Sequence, residues 1–422
     1  MESLTDPDSN GASTGVSSLG KQTRKTRVFD FTRYNQRHIA LKIAYLGWQY
    51  RGFASQESVK DTVEEHLFSA LTKLCLIKDR ASSCYSRCGR TDKGVGALGQ
   101  VIALSVRSNL LEGPGLFCPD GSTAQDRSGD TTTELDYVRL MNNVLPDDIR
   151  VLAWCPVSPH FNARFDCLCR TYKYFFPRGS LDIDLMRLAS QKFVGEHDFR
   201  NFCKMDVGGG VTNFRRRILS FQVDSLGDNS PYQMCVMTVS GQAFLWHQVR
   251  CMASVLLLIG QTLEHPEVID HMLDVAVCPG KPQYTMAAEY PLLLSDCEFE
   301  EVKWIYSQTA DAHRHLVQYF QSLWSSHVVK AAVLDTMLQS ITSQLVPENT
   351  RDASERTFPW RRLARDVSFP TETLIPGFRS KQYRPLLERP TADTLEERLA
   401  KKKRTDNSEE SSTEQNREEV ET

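Results

Sequence analysis

The order of apolar and polar positions predicts a chain that mixes strands with helices. Apolar–polar alternation predicts a strand at 37–47. Runs rich in apolar, β-branched or aromatic residues predict five more strands, at 100–108, 149–157, 170–176, 218–225 and 232–241. Helical spacing predicts helices at 61–74, 134–145, 244–263 and 311–341.

The first of these helices carries both a start signal and an apolar face. Asp61 is placed to cap it, with Glu64 three residues further on. Val63, Leu67 and Leu71, followed by Leu74, share one side. We therefore expect this helix to begin at Asp61 and to pack against a sheet.

The succession of elements favours one fold class. The strands follow one another as hairpin-like neighbours and not as regular βαβ units, so the pattern favours an α+β fold with a mixed, largely antiparallel sheet and flanking helices. The pattern divides the chain further into a disordered tail, a central body in two parts, a helical extension and a charged disordered tail, at 1–36, 37–155, 156–300, 301–390 and 391–422. A Gly/Ser/Asp-rich insertion at 109–133 is expected to be a mobile loop.

Charge changes the picture of possible ligands. The 422-residue chain has a net charge of −3, which alone argues against a polyanionic ligand. The acids are concentrated at the ends, however, and without residues 1–20 and 405–422 the remaining chain carries +6. Acidic ends can mask a moderately basic body, so the charge does not exclude a nucleic acid.

The twelve cysteines are scattered through apolar segments. No C-x-x-C pair is present, and no Cys/His group has zinc spacing. We therefore expect reduced, mostly buried thiols in an intracellular protein, without a metal. No apolar run reaches membrane-spanning length, and the polar, acidic N-terminus is neither a secretory signal nor a transit peptide, so we expect no membrane partner.

The segment 88–101, "CGRTDKGVGALGQV", contains two competing signals. Gly94–Gly99 match the G-x-G-x-x-G pattern of a dinucleotide-binding turn, but a strand follows the glycines where that motif requires a helix. We expect the glycines instead to let a tight turn pass close to a ligand or another backbone. Asp92 is either a turn aspartate paired with Lys93 or Arg90, or a nucleophilic carboxylate held ionised by a nearby arginine.

Several motifs, taken in order along 37–300, carry a resemblance to one family. They are "IAYLGWQYRGF", "GRTDKGV", "NNVLPDDIRV", "FNARFDCLCRTYKY", "GEHDFRNFCK", "FLWHQVRCM" and "KPQYTMAAEYPL". This series resembles the TruA family of pseudouridine synthases. Within the family, "DFRNFCKMDV" and the end "YRPLLERPTADTLEERLAKKKR" are similar to the eukaryotic branch that modifies tRNA positions 38 and 39.

The resemblance implies a fold, a reaction and three catalytic residues. The fold would be that of the pseudouridine synthases, with two pseudo-related halves around a central RNA-binding cleft. Asp92 would act as nucleophile or base on a uridine flipped out of the anticodon stem-loop of a tRNA. Arg250 would keep that carboxylate ionised, and Tyr172 would stack on the uracil and help remove its C5 proton. The reaction involves no redox change or hydrolysis, so no cofactor or metal is expected.

Two of these roles have structural alternatives. Arg250 could simply lie on a helix surface. Tyr172 could be a core aromatic, because Tyr174 and Phe176 share its face of the strand.

The resemblance also implies partners. Basic residues expected to hold RNA phosphates are Arg51, Arg90, Lys93, Arg164, Arg170, Lys173 and Arg216, the last of which could instead belong to a solvated turn. A homodimer is expected, in the nucleus and the cytoplasm, with "KKKR" (401–404) as a nuclear signal or simply part of a tail. Action on other RNA positions, a non-catalytic tRNA-binding protein and a nucleotide-dependent oxidoreductase remain alternatives.

Overall fold

The computed structural model describes residues 29–57, 59–227, 233–300, 302–307, 310–345, 371–377 and 383–404. The predictions for the N-terminal segment 1–28 and for the acidic segment 405–422 lie outside the described residues. None of the helices in the described ranges combines the length and the apolarity needed to cross a bilayer.

One large sheet organises the described chain. Its strands are β1 (Asn35–Tyr45), β2 (Ser86–Arg87), β3 (Gly96–Ser108), β4 (Leu116–Phe117), β5 (Ile149–Pro156), β6 (Cys167–Pro177), β7 (Gly195–Asp198), β8 (Arg215–Leu226), β9 (Met234–Gly241), β10 (Leu292–Phe299) and β11 (Ile305–Tyr306). Their spatial order is β11-β5-β1-β3-β10-β6-β9-β8-β7, with β2 also paired to β3 and β4 to β1. The six predicted strands are confirmed as parts of β1, β3, β5, β6, β8 and β9.

The sheet is mixed but mostly antiparallel, as the sequence predicts. Among the described strand pairs, β3 and β10 run parallel through two residue pairs at the middle of the sheet. The neighbouring pairs β1–β3 and β6–β10 are antiparallel. The two halves of the chain therefore meet along β3, β10 and β6.

Helices cover the sheet in both halves: α1 (Val63–Lys73), α2 (Tyr137–Asn142), α3 (Ile183–Ser190), α4 (Gln248–Gly260), α5 (Glu267–Leu273) and α6 (Ala310–Leu345). One apolar cluster lies under α1 and α2, and a second joins α3, α4 and α5 to β8 and β9. Every residue of α4 is buried, so this helix is a central core element whose apolar residues surround its whole circumference.

Three predicted helix starts are wrong, and a left-handed backbone residue explains two of them. Helix α2 begins at Tyr137 and not at 134, because the Asp136 side chain caps it by accepting a hydrogen bond from the Arg139 amide. Asp61 has a φ of 71°, so the cap passes to Thr62, whose side chain accepts a hydrogen bond from the Glu65 amide. Helix α4 begins at Gln248 and not at 244, because His247 has a φ of 63°. The apolar face of α1 is confirmed, since Val63, Leu67 and Leu71 are fully buried.

The tail predicted at 1–36 is wrong for its last residues, because Phe31–Arg33 form a 3-10 helix and β1 begins at Asn35. Two more segments predicted to lack fixed structure have defined places. The insertion 109–133 contains β4, which pairs with β1, and a short 3-10 helix at Ala124–Asp126. The charged segment after 391 continues as a helix over 395–404, anchored by the buried Leu395. Each of these two segments buries an apolar side chain, Ala124 or Leu395, and overall composition does not reveal such single anchoring residues.

Candidate active site

The loop before β3 presents Asp92 from a firmly held turn. The Tyr45 hydroxyl lies 2.8 Å from the Thr91 hydroxyl, and both groups are buried. The Phe53 amide donates to the Thr91 carbonyl, and the Val95 amide donates to the Asp92 carbonyl at 3.2 Å. Residues from two other segments thus fix the backbone before the aspartate, and the bond from Val95 closes the turn after it.

The glycines of this loop serve close packing. Gly94 has a φ of 81°, where a side chain is strained. Gly99 lies within β3, and a Cβ atom there would be 2.7 Å from the Asp296 Cα. The strand–glycine–helix context of a dinucleotide site is missing, because the segment from Gly96 to Gly99 is itself part of β3.

The Asp92 carboxylate faces three donor groups from the segment around the start of α4. The Trp246 indole Nε1 donates to Oδ1 at 3.2 Å. The His247 Nε2 and a terminal nitrogen of Arg250 lie 3.4 and 3.6 Å from Oδ2. The Asp92 side chain is 21% exposed, so it is largely shielded from water but still accessible to a substrate. This arrangement stabilises an ionised carboxylate.

Arg250 is held in place by contacts beyond Asp92. Its side chain is 8% exposed, its Nε donates to the Ala287 carbonyl at 2.8 Å, and a terminal nitrogen binds Glu289 at 2.8 Å. Gly94 allows this approach, since a Cβ there would lie 2.6 Å from the Glu289 Cγ. The geometry therefore excludes the alternative of an arginine on a helix surface.

His247 occupies a strained backbone position beside the carboxylate. Its φ of 63° places a non-glycine residue in the left-handed region immediately before α4. Burial lowers the pKa of its imidazole below the usual value; the neighbouring cations Arg250 and Lys204 lower it further, and Asp92 opposes them. The ring is thus neutral near pH 7 and can donate or accept one proton.

Tyr172 lies on β6 at the boundary between the two apolar clusters. Its ring meets Phe244 edge-on with centroids 5.2 Å apart, and it packs against residues of both clusters. Tyr174 and Phe176, two and four residues further, are core residues, whereas Tyr172 is half-buried. Burial raises the pKa of its phenol well above the usual range, and nearby ionisable groups, including Asp92, add to the effect.

The predicted phosphate-binding residues differ in their exposure. Four have exposed side chains, and within the described residues none of these four forms an ion pair: Arg51, Arg90, Lys93 and Arg164. Lys173 is half-buried on β6. Arg90 and Lys93 flank the segment that carries Asp92, so their charges are available at the entrance to the site.

Arg170 has another set of partners. Its guanidinium donates to the carbonyls of Cys167 and Gln242 through one nitrogen, and to those of Cys88 and Arg164 through the other. These four bonds join β6 to the start of the catalytic loop. The contacts give Arg170 a positioning role, and its predicted phosphate contact stays a prediction.

Arg216 is half-buried on β8. One of its terminal nitrogens donates to the carbonyls of Asn213 and Arg215 at 3.0 and 2.6 Å. Burial lowers the pKa of this guanidinium. The solvated-turn alternative does not describe it, because the residue is part of a paired strand.

Three buried thiols meet behind the catalytic loop. The sulfur atoms of Cys88, Cys167 and Cys297 lie within 4.8 Å of one another, with Cys88 and Cys297 3.2 Å apart. Hydrogen bonds from the other two thiols lower the pKa of Cys167. No local spacing could reveal a group drawn from the catalytic loop and from two strands that are distant in sequence, β6 and β10. Three thiols are one ligand short of a structural zinc site, so the cluster does not by itself define a metal centre.

Some site residues escape reasoning from the sequence. Trp246 and His247 belong to the "FLWHQVR" motif and Glu289 to "MAAEYPL", but a helical interpretation of 244–263 hides the role of the first two. The bond between Arg250 and Glu289 joins residues 39 positions apart. The Asp92 carboxylate can act as nucleophile or base, because it faces three donor groups. The Tyr172 ring lies nearby, and the exposed cations beside the loop favour an anionic substrate.

Comparison with known proteins defines the class. The family model described as tRNA pseudouridine synthase matches residues 189–300. The chain is also 49% identical over 389 residues to a relative from Bos taurus, covering 90% of this chain and 80% of that protein. The chain therefore belongs to the tRNA pseudouridine synthase family, as its motifs predict, and its sheet is the α+β sheet of that fold.

The relatives themselves carry a more specific name. The Bos taurus protein is a tRNA pseudouridine(38/39) synthase. So is a Homo sapiens protein, 48% identical over 88% of this chain and 78% of its own length. A Saccharomyces cerevisiae protein of the same name is 44% identical over 67% of this chain and 62% of its own length.

Proposed function

We propose that this chain converts uridine to pseudouridine at positions 38 and 39 in the anticodon stem-loop of tRNA, the positions in the names of its relatives. The observation that carries the chemistry is the Asp92 carboxylate, faced by Trp246, His247 and Arg250 within 3.6 Å. A merely structural turn aspartate does not require three donors from a second half of the molecule.

The reaction breaks the bond between N1 of uracil and C1′ of ribose and joins C5 to C1′. The Asp92 carboxylate acts as nucleophile or base on the flipped-out nucleotide, with Arg250 stabilising its charge. The C5 proton leaves and N1 gains one, so the atoms balance without a redox partner. The Tyr172 ring supports the uracil, and its phenol stays protonated in the resting site because its pKa is raised.

The direct test is position-resolved pseudouridine mapping on tRNA from cells that lack the protein, complemented with the wild-type chain or with Asp92→Asn. We expect pseudouridine at 38 and 39 to return with the wild type alone. Return at other positions would support the alternative substrate set. Return with both chains would contradict a catalytic Asp92, and return with neither would exclude the proposed substrate.

A non-catalytic tRNA-binding protein remains the second candidate function. The exposed Arg90 and Lys93 beside the loop would serve binding equally well. The clamped carboxylate favours catalysis, however, because binding RNA phosphates requires cations and not an acid held between donor groups. Turnover by the purified protein on unmodified tRNA separates the two functions.

We also propose a homodimer that uses α6. The helix exposes apolar side chains at heptad-like spacing, between 39% and 68% exposed, at Val317, Trp324, Leu334, Leu338 and Ile341. Exposed apolar stripes of this length are typical of interfaces. The double variant Leu334→Asp, Ile341→Asp should halve the mass measured by light scattering, and a monomeric wild type at micromolar concentration would contradict the dimer.

We also propose that the protein resides in both the nucleus and the cytoplasm. The "KKKR" run lies on the helix over 395–404, where Lys401 binds Asp393 and Lys402 donates to the Val207 carbonyl. Lys403 and Arg404 are exposed and remain available to an import receptor. Lys403→Ala combined with Arg404→Ala should shift the protein toward the cytoplasm in fractionated cells, and an unchanged distribution would contradict a signal in this run.

A further inference from the structure

Trp246 is an exposed aromatic residue at the mouth of the active site. Its side chain is 45% exposed, although its indole edge donates to Asp92 at 3.2 Å. The Lys204 ammonium lies 4.1 Å from the centre of the ring, and the Lys204 amide donates to the Trp246 carbonyl at 2.9 Å. The two residues therefore form one unit, a ring with a cation over it, next to the reacting carboxylate.

The backbone around this ring is fixed. Leu245 is buried, its amide donates to the Gln248 side chain at 2.8 Å, and the Gln248 amide donates back to the Leu245 carbonyl at 3.1 Å. His247 follows in the left-handed conformation that ends the loop. Exposure of Trp246 is thus a property of a rigid turn and not of a loose segment.

An exposed indole beside a cation matches the chemistry that binds unstacked nucleotides. Bases stack on aromatic side chains regardless of sequence, and a neighbouring cation takes the phosphate. A uridine that reaches Asp92 must leave its stack, and this leaves the adjacent base without a partner. The Trp246 ring is held within hydrogen-bond distance of Asp92, so it lies beside the path of the RNA strand whose uridine reaches that carboxylate.

We propose that Trp246 and Lys204 form a subsite for the nucleotide that flanks the target uridine. The indole stacks on its base, with the base on the face opposite the ammonium, and Lys204 binds its phosphate. The proposal rests on the proposed function, since the RNA must be modified at Asp92. It assigns the flanking base to Trp246 and leaves the target uracil to Tyr172.

Single-turnover kinetics on tRNA test the subsite. Trp246→Phe and Trp246→Ala both remove the bond to Asp92, so the difference between them isolates the ring. We expect Trp246→Ala to raise the tRNA concentration for half-maximal rate by roughly 5- to 150-fold over Trp246→Phe, the range of stacking on one base. Lys204→Gln should reduce the slope of log K against log salt by roughly one. Tyr306→Ala, another exposed aromatic on the distant strand β11, serves as the control and should match the wild type.

Anticodon stem-loops that lack the base on the 5′ or the 3′ side of the target identify the ligand. On one of these abasic RNAs, the difference between Trp246→Ala and Trp246→Phe should disappear. An undiminished difference on both RNAs would overturn the proposal and point to the target uracil, and equal kinetics of the two variants on intact tRNA would overturn it as well. Failure of the proposed function would show separately, as wild-type protein that turns over no stem-loop.

Discussion

Arg250→Ala removes the guanidinium that lies 3.6 Å from the Asp92 carboxylate. Two unit charges at that distance attract each other by about 4–5 kcal/mol at an effective dielectric constant of 20. The variant loses this stabilisation of the charged carboxylate in a partly buried site. Because each 1.4 kcal/mol is a factor of ten in rate, the largest expected loss is about three orders of magnitude.

The cost to folding should be smaller than the cost to the rate. The substitution leaves the Ala287 carbonyl without its donor, which costs about 1–3 kcal/mol. Glu289 is 39% exposed and regains water, so its loss of a partner adds little. The variant should therefore fold and bind tRNA, since phosphate contacts dominate affinity.

The assay is single-turnover tritium release from C5-labelled uridine in tRNA, with binding and urea unfolding measured on the same preparations. Arg250→Lys retains a charge but not the fork that binds Ala287 and Glu289 together, so its rate should fall between those of wild type and alanine. A folded Arg250→Ala protein that turns over within tenfold of wild type would refute the proposed role of the guanidinium.

Three further changes have expected outcomes. Tyr172→Phe keeps the ring beside Phe244 and loses only the hydroxyl, so tRNA binding should persist. Because a phenol that stays protonated is a poor acceptor of the C5 proton, tritium release should stay within tenfold of wild type; a fall of roughly 100-fold or more would assign C5 proton transfer to the hydroxyl. His247→Asn keeps a residue that tolerates positive φ. Burial lowers the pKa of His247 in the folded state, so the wild type loses stability as pH falls below the ordinary pKa of 6.5, by up to about 1.4 kcal/mol per pH unit. The stability of His247→Asn, measured by urea unfolding, should lack this pH dependence. Identical pH profiles of the two proteins would contradict the lowered pKa. Gly94→Ala forces a side chain into φ 81° against Glu289, and should cost about 1–2 kcal/mol in urea unfolding and also slow turnover; an unchanged midpoint would show that the loop relaxes.

The sequence predicts the sheet well because its strands carry runs of apolar, β-branched and aromatic residues, and the long strands β1 and β3 bury both of their faces. The same local rules misplace helix starts where a backbone angle depends on tertiary contacts. Asp61 is a residue type that commonly caps helices, but its φ is left-handed and Thr62 caps α1 instead. The apolar pattern predicts one continuous helix from 244, but the left-handed φ of His247 delays the start of α4 to Gln248.

The candidate active site is likewise predicted from the sequence only in part. Motifs identify Asp92 and Arg250, and the fold brings them within 3.6 Å of each other. Motifs do not show that Glu289 holds Arg250, because that contact depends on how α4 packs against the loop before β10. Nor do they show that Arg170 donates to four carbonyls. A basic residue's partner is decided by the fold, and the sequence specifies only its charge.

Asp92→Asn is the most direct test of the central claim that this carboxylate carries the reaction. Asparagine keeps the shape of the side chain and can still accept the hydrogen bond from Trp246, but it cannot act as an anionic nucleophile or as a base. The measurement is tritium release from C5-labelled uridine in tRNA, with filter binding and unfolding on the same sample. The account predicts a folded protein that binds tRNA nearly as the wild type does and releases no tritium, whereas normal release by the folded variant would contradict it and make Asp92 a turn residue.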